Sequence, residues 1–176
     1  MKLGLVGSMS VGKTTLIEAL SKLPKFSNYK VATERSKYLR DLGIKLNTDS
    51  TLNGQILFAS ERTSELFNDN LLTDRTILDV CAFTNLAQSI NTIDKEAFET
   101  FYSRSIGEYD YIFYISPDNM PIEDNSVRTT DPEYRIAIDN EIKRLISKYK
   151  YKIKNFHVIF GSTEQRISQI LELVKE

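Results

Sequence analysis

The sequence predicts an α/β fold: three layers, with a five-stranded parallel sheet between helices. Three observations lead there. Short, largely apolar segments recur, among them Leu3 to Val6, Tyr111 to Ile115 and Phe156 to Phe160, and fully apolar strands such as the first belong inside parallel sheets covered on both faces. Segments of helical period separate them, as parallel connections require. The 176 residues, 41% apolar with 7 Gly and 4 Pro, suit one compact unit over 1–176, neither linker nor disordered tail.

Leu3 to Val6 reads as the first strand and runs at once into a glycine-bounded turn and a helix from Lys13 to Leu23, stopped by Pro24. Tyr29 to Thr33 is the second strand and Arg35 to Leu42 the helix after it, ended by Gly43. From Thr51 to Phe67 a helix is expected with Leu52, Ile56, Ala59, Thr63 and Leu66 on its buried side and Asp49 or Ser50 as cap. Leu71 to Asp74 is the third and weakest strand. Two helices follow, about 78–91 and 94–107, the second opened by Asp94 and Glu96. Tyr111 to Ile115 has the strongest strand composition in the chain. A polar loop from Asp118 to Thr130 then leads to Asp131-Pro132-Glu133, a cap, a first-turn proline and an early acid opening a helix to about Tyr149. Phe156 to Phe160 is the fifth strand, and Ile167, Ile170, Leu171 and Val174 mark the final helix.

Charge and rare residues narrow the function. With 23 Lys and Arg against 24 Asp and Glu, the net charge of −1 gives no global attraction to nucleic acid or an anionic bilayer. One cysteine, Cys81, excludes an internal disulfide and fits a reducing cytoplasm, and one histidine, His157, excludes a histidine metal cage. The first residues run into polar, Gly-interrupted sequence without a cleavage-like region, so no secretory signal is expected. No apolar run approaches the roughly 20 residues of a membrane span.

Gly7-Ser8-Met9-Ser10-Val11-Gly12-Lys13-Thr14 is G-x-x-x-x-G-K-T, placed between a strand and a helix. The spacing has a physical reason. Two glycines let the backbone turn its N–H groups around an anion, and the helix N-terminus adds partial positive charge. Lys13 is expected to reach the β and γ phosphates of ATP, the Thr14 hydroxyl to bind Mg²⁺, and Thr15 to belong to the nucleotide-binding set. The fold expectation thereby becomes the P-loop NTPase fold, with strand order 2-3-1-4-5. A GTPase would need an Asn-Lys-x-Asp after a strand, where this chain has Ser116-Pro117 and Gly161-Ser162. A mechanical ATPase usually extends into sensor regions for which there is no length. Small size and arginines after the fourth strand favour phosphoryl transfer to a small acceptor.

On these residues the chain resembles the small P-loop kinases, nearest in layout to nicotinamide riboside kinase-type domains and similar also to thymidylate and deoxyribonucleoside kinases. The resemblance implies that Glu34, ending the second strand, touches the acceptor, and that Asp74-Arg75 is the acid-arginine pair ending the third. It implies an arginine-bearing lid over about 118–135, matched by Arg128 and Arg135. It also implies an adenine-bordering loop with Ser162, Thr163 and Arg166. The Pro-Gly-Gly run of thymidylate kinases is missing.

A nucleoside acceptor would need a carboxylate to orient its hydroxyl, Glu34 before Asp74, whereas a monophosphate would need arginines, with Arg35, Arg62 and Arg75 available. Because arginines outnumber neutral sugar-reading groups, the monophosphate is slightly favoured. Plainer readings stand beside these. Glu34 could charge the following helix. Asp74 could be a magnesium ligand, an acceptor ligand or only a helix cap. Arg135 could pair with Asp139, and Arg62 could make a surface pair with Glu61 or Glu65. Tyr38 and Phe58 stack on a base or pack in the core. Lys143, Arg144, Lys148, Lys150, Lys152 and Lys154 form the one basic run, a solvated helix end or a small nucleic-acid patch. The alternatives to a small-molecule kinase are a polynucleotide or modified-base kinase and a regulatory module with slow ATP hydrolysis; a homodimer is left open.

Overall fold

The computed structural model describes residues 1–33, 36–117 and 131–175. Five parallel strands, β1 (Lys2–Val6), β2 (Lys30–Ala32), β3 (Leu71–Thr73), β4 (Tyr111–Ile115) and β5 (Phe156–Ile159), form one sheet in the expected order β2-β3-β1-β4-β5. Parallel registers pair Leu3 with Leu72 and with Tyr111, Val31 with Leu72, and Phe113 with His157.

Strand residues alternate between two cores, as a two-sided sheet demands. Leu3, Leu5, Leu72, Phe113, Ile115 and Ile159 pack with Leu16, Ile17 and Leu20 of α1 (Lys13–Ser21) and Ile170 of α7 (Thr163–Leu173). On the opposite face Val6, Leu71, Ile112 and Tyr114 share a core with α3 (Leu52–Glu65), α4 (Ile77–Leu86), α5 (Thr92–Tyr102) and α6 (Pro132–Lys148). The short α2 (Ser36–Asp41) contributes Leu39. Every residue of α4 from Ile77 to Thr84 is buried, as expected of a helix enclosed by others.

Several elements differ from expectation for identifiable reasons. The cap of α3 is Thr51, whose hydroxyl accepts from the Gly54 N–H at 3.2 Å, rather than Asp49 or Ser50. The same helix is turned: Gln55, Phe58, Ala59 and Arg62 face inward, and Ile56 is exposed. Helix α4 stops at Leu86, short of 91, because the chain beyond is tied to another loop by Gln88 N–H to Thr48 O (3.0 Å) and Ser89 Oγ to Ser50 O (2.5 Å). Asn91, not Asp94, caps α5, which gives way at Ser103 to a 3-10 segment, Ser103–Glu108. Asp131 caps α6 ahead of Pro132 as expected. No helix among the described residues is long and apolar enough to cross a membrane.

Candidate active site

The loop between β1 and α1 is shaped by its backbone. A Cβ on Gly7 would lie 2.6 Å from the Ile115 carbonyl oxygen of β4, so only glycine lets the two strand ends approach. Gly12 precedes α1 with φ of 80°, and Ser10 also has positive φ, 59°. Successive residues of alternating hand turn their N–H groups toward one concavity, which suits an anion. Met9 and Val11 bury their side chains, anchoring the loop, while Thr15 is exposed at the start of α1.

Lys13 lies across this loop, buried, and its Nζ donates to the carbonyls of Gly7 (2.5 Å) and Ser8 (2.7 Å). At the end of β3, Asp74 is buried and its Oδ2 accepts from the Thr14 hydroxyl at 2.6 Å. Its Oδ1 is buried without a hydrogen-bond partner among the described residues. A carboxylate oxygen so placed beside a hydroxyl is a hard-oxygen donor set suited to Mg²⁺, an ion that uses one or two protein oxygens and completes its shell with water and phosphate. No three His, Cys, Asp or Glu side chains cluster among the described residues. Asp74 does not cap the next helix; Thr76 does, accepting from Leu78 N–H.

Asp79 is the functional candidate that the sequence reading missed. It is fully buried in α4, and its Oδ1 accepts from the Gly7 N–H at 3.2 Å while Oδ2 accepts from the Thr76 N–H (2.8 Å) and hydroxyl (3.0 Å). Burial pushes its carboxyl above the usual range, and Lys13 and Arg75 pull it back. The only sequence signal was Thr76-x-x-Asp79, a capping box.

The arginines divide. Arg135, on the first turn of α6, is buried and donates from Nη2 toward the carbonyls of Pro117 (3.4 Å) and Ser10 (3.5 Å), so it borders the phosphate loop. Asp139, its proposed partner, accepts from Tyr114 Oη and pairs with Lys143, both at 2.7 Å, and its charge also acts on Arg135. Arg75 places its guanidinium carbon 4.9 Å from the centroid of Phe83. Arg166 is buried and donates to the Val11 carbonyl at 2.8 Å, so it buttresses the phosphate loop from α7. Ser162 caps α7, accepting from Gln165 N–H, next to the half-buried Thr163.

Arg62 is engaged beside the end of β3: buried in α3, it pairs with Glu65 at 2.5 Å and donates to Thr73 Oγ1 at 3.3 Å. The pair with Glu65 forms inside the protein, where a surface pair was the plainer expectation. Burial outweighs Arg62 and raises the Glu65 carboxyl to about 7. Phe58 is in the core, and Tyr38 is exposed on α2. Glu34, Arg35 and Arg128, with the proposed lid from 118 to 130, lie outside the described residues.

The basic run is largely neutralised at home. Lys148 and Arg144 pair with Glu99, Arg144 also with Glu141, Lys143 with Asp139 and Lys154 with Asp110. These ties and neighbouring hydrogen bonds hold Glu99 down to about 2 despite its burial. His157 stacks on Tyr111 and Phe113, and Cys81 is buried with its thiol pushed up.

A family model described as an AAA domain matches residues 2–166. Among solved structures, deoxyadenosine kinase from M. mycoides with bound dCTP is 19% identical, with 98% of each chain covered and a TM-score of 0.69. The NadR protein in complex with NR is 18% identical over 98% of this chain and 52% of that one, with a TM-score of 0.76. NadR in complex with NAD and AMP-PNP gives 16%, 99%, 50% and 0.71 in the same order. No match was found among curated proteins. The family match runs over nearly the whole chain, and the structural likeness is one of fold: the protein belongs to this AAA-domain family, on a P-loop fold that it shares with the deoxyadenosine kinase and NadR structures.

Proposed function

We propose that the protein catalyses ATP-dependent, Mg²⁺-requiring phosphoryl transfer to a nucleoside or nucleoside monophosphate, with 1–176 acting as one P-loop kinase domain. The observation that carries this reading is the buried Asp74 carboxylate, bonded through one oxygen to Thr14 and unpartnered at the other, beside a phosphate loop crossed by Lys13. Mg²⁺ bound there would neutralise phosphate charge. The chain's own part is positional and electrostatic. Loop N–H groups hold the phosphates, and Lys13 exchanges carbonyl contacts for phosphate oxygens. Arg135 adds charge from the α6 side, and Arg75 stands on the acceptor side.

Between the two acceptors the nucleoside is favoured. A dianionic acceptor calls for several arginines, and Arg62 is already committed to Glu65 and Thr73. The name of deoxyadenosine kinase and the NR complex of NadR support a nucleoside acceptor, whereas the bound dCTP, a nucleoside triphosphate, does not bear on that choice. The ion-paired basic run gives a polynucleotide acceptor little to bind.

Labelled ATP with pooled nucleosides, monophosphates and oligonucleotides, each with Mg²⁺ and with EDTA, tests the reading. Label should enter the nucleoside pool in a Mg²⁺-dependent way. Transfer only to oligonucleotides, or slow ATP hydrolysis with no transfer, would overturn it.

A further inference from the structure

Among the described residues, the buried side-chain oxygens without a hydrogen bond include Ser8 Oγ, Ser50 Oγ, Asp74 Oδ1 and Tyr134 Oη. Ser8 belongs to the phosphate loop, and Asp74 is accounted for by the magnesium reading. Tyr134 has no such account. It is 8% exposed, and a buried hydroxyl left unpaired is costly, so a partner is expected when the protein works.

The surroundings of Tyr134 connect it to Arg75, the arginine proposed above for the acceptor side. Helix α4 begins where the Ile77 N–H meets the Tyr109 hydroxyl, below β4, and by Asp79 it has climbed to Gly7 at the end of β1. Phe83 lies one turn farther along the same face. Its ring meets Arg75 at 4.9 Å on the one hand and the edge of Tyr134 at 6.3 Å on the other. Arg75 follows the Asp74 carboxylate, and the charge of Arg75 acts on the Tyr134 phenol, which burial keeps in its neutral, proton-bearing form. The next residue, Arg135, borders the phosphate loop. Tyr134 is thus linked through the Phe83 ring to Arg75, next to the Asp74 carboxylate, and it precedes in α6 the arginine that borders the phosphate loop.

We propose that Tyr134 is an acceptor-binding residue, its phenol donating a hydrogen bond to an oxygen of the acceptor beside Arg75. The inference rests on the kinase reading above and adds a specificity-determining residue to it. An acceptor lacking that oxygen would leave the phenol unpaired again, and this is how a buried hydroxyl discriminates between ligands.

Tyr134→Phe removes one oxygen and nothing else. In steady-state kinetics with the best nucleoside and its 5′-monophosphate in parallel, the variant should raise acceptor KM by about 10-fold or more, with ATP KM within twofold of wild type. Its melting temperature without ligands should be equal or higher. Unchanged acceptor KM overturns the proposal, as does a lower melting temperature with unchanged KM, the signature of a hydroxyl serving a structural water. The acceptor showing the KM effect identifies whose oxygen is read. If the wild type binds nucleosides by calorimetry without phosphorylating them, the kinase reading alone fails, and the ratio of acceptor Kd between Tyr134→Phe and wild type decides this proposal on the same tenfold criterion. A wild-type protein that neither binds nor phosphorylates any acceptor overturns both.

Discussion

Asp79→Asn isolates the contribution of a carboxylate that touches no ligand directly yet holds the first amide of the phosphate loop. Asparagine matches the shape of aspartate but brings one acceptor oxygen and an NH₂ donor. If that oxygen keeps the Thr76 N–H and hydroxyl, the NH₂ must face the Gly7 N–H, donor against donor. An unsatisfied buried N–H costs about 1–3 kcal/mol. The substitution also relieves something, because burial opposes the ionised carboxylate, and Lys13 and Arg75 only partly offset that penalty. The net loss should therefore fall in the lower part of that range, about 1–2 kcal/mol, or a fall in Tm of about 2–8 °C for a chain of this size. Function should respond more than stability does. With the Gly7 amide released and Lys13 deprived of its nearby counter-charge, ATP KM should rise about tenfold while acceptor KM stays within twofold. Asp79→Ala, lacking all three bonds, should lose about 2–4 kcal/mol. Thermal melts and steady-state kinetics measure both quantities. A folded Asp79→Asn protein with wild-type Tm and wild-type ATP KM would refute the idea that α4 positions the loop.

Three further outcomes follow from the same geometry. Lys13→Ala should fold and lose transfer by at least about 100-fold, since a transition-state charge partner is removed; near-normal turnover would end the phosphate-loop mechanism. Asp74→Asn keeps an acceptor for Thr14 but weakens the hard-oxygen donor set, so half-maximal activity should need about tenfold more Mg²⁺, and an unchanged Mg²⁺ titration would count against Asp74 as metal ligand. Glu65, raised from 4.5 to about 7, contributes stability that is fully present below pH 4.5 and is lost as pH rises through 7. Relative to wild type, Glu65→Gln should thus be more stable at pH 8 than at pH 5, by about 1–2 kcal/mol after allowance for solvent screening, and parallel urea-derived stability profiles would contradict the raised carboxyl.

The parts of the site legible in the sequence are those where the main chain dictates residue type. Gly7 and Gly12 are fixed by a close approach to Ile115 and by a left-handed φ, and Lys13 and Thr14 follow from the helix that starts there. Sheet order was legible for a related reason, since apolar strand runs separated by helices admit few topologies. Residues whose role depends on how distant elements meet were not legible. Arg62 and Glu65 are three apart and their pairing can be read from spacing, but its burial depends on α3 facing inward through Gln55, Phe58 and Ala59, a rotation that the apolar but exposed Ile56 misrepresents. Asp79 is three residues after the Thr76 cap, the capping-box position; only the climb of α4 past β1 gives its second oxygen to Gly7. Tyr134 belongs to the same class. Its neighbour Pro132 announces a helix start, and nothing local says that the ring meets Phe83, which in turn meets Arg75. The loop can thus be specified by a short motif, while the residues that aim it and those proposed to read the acceptor are supplied by α4 and α6, whose packing against each other has no short sequence signature. An inference about the acceptor in this fold has to start from that packing.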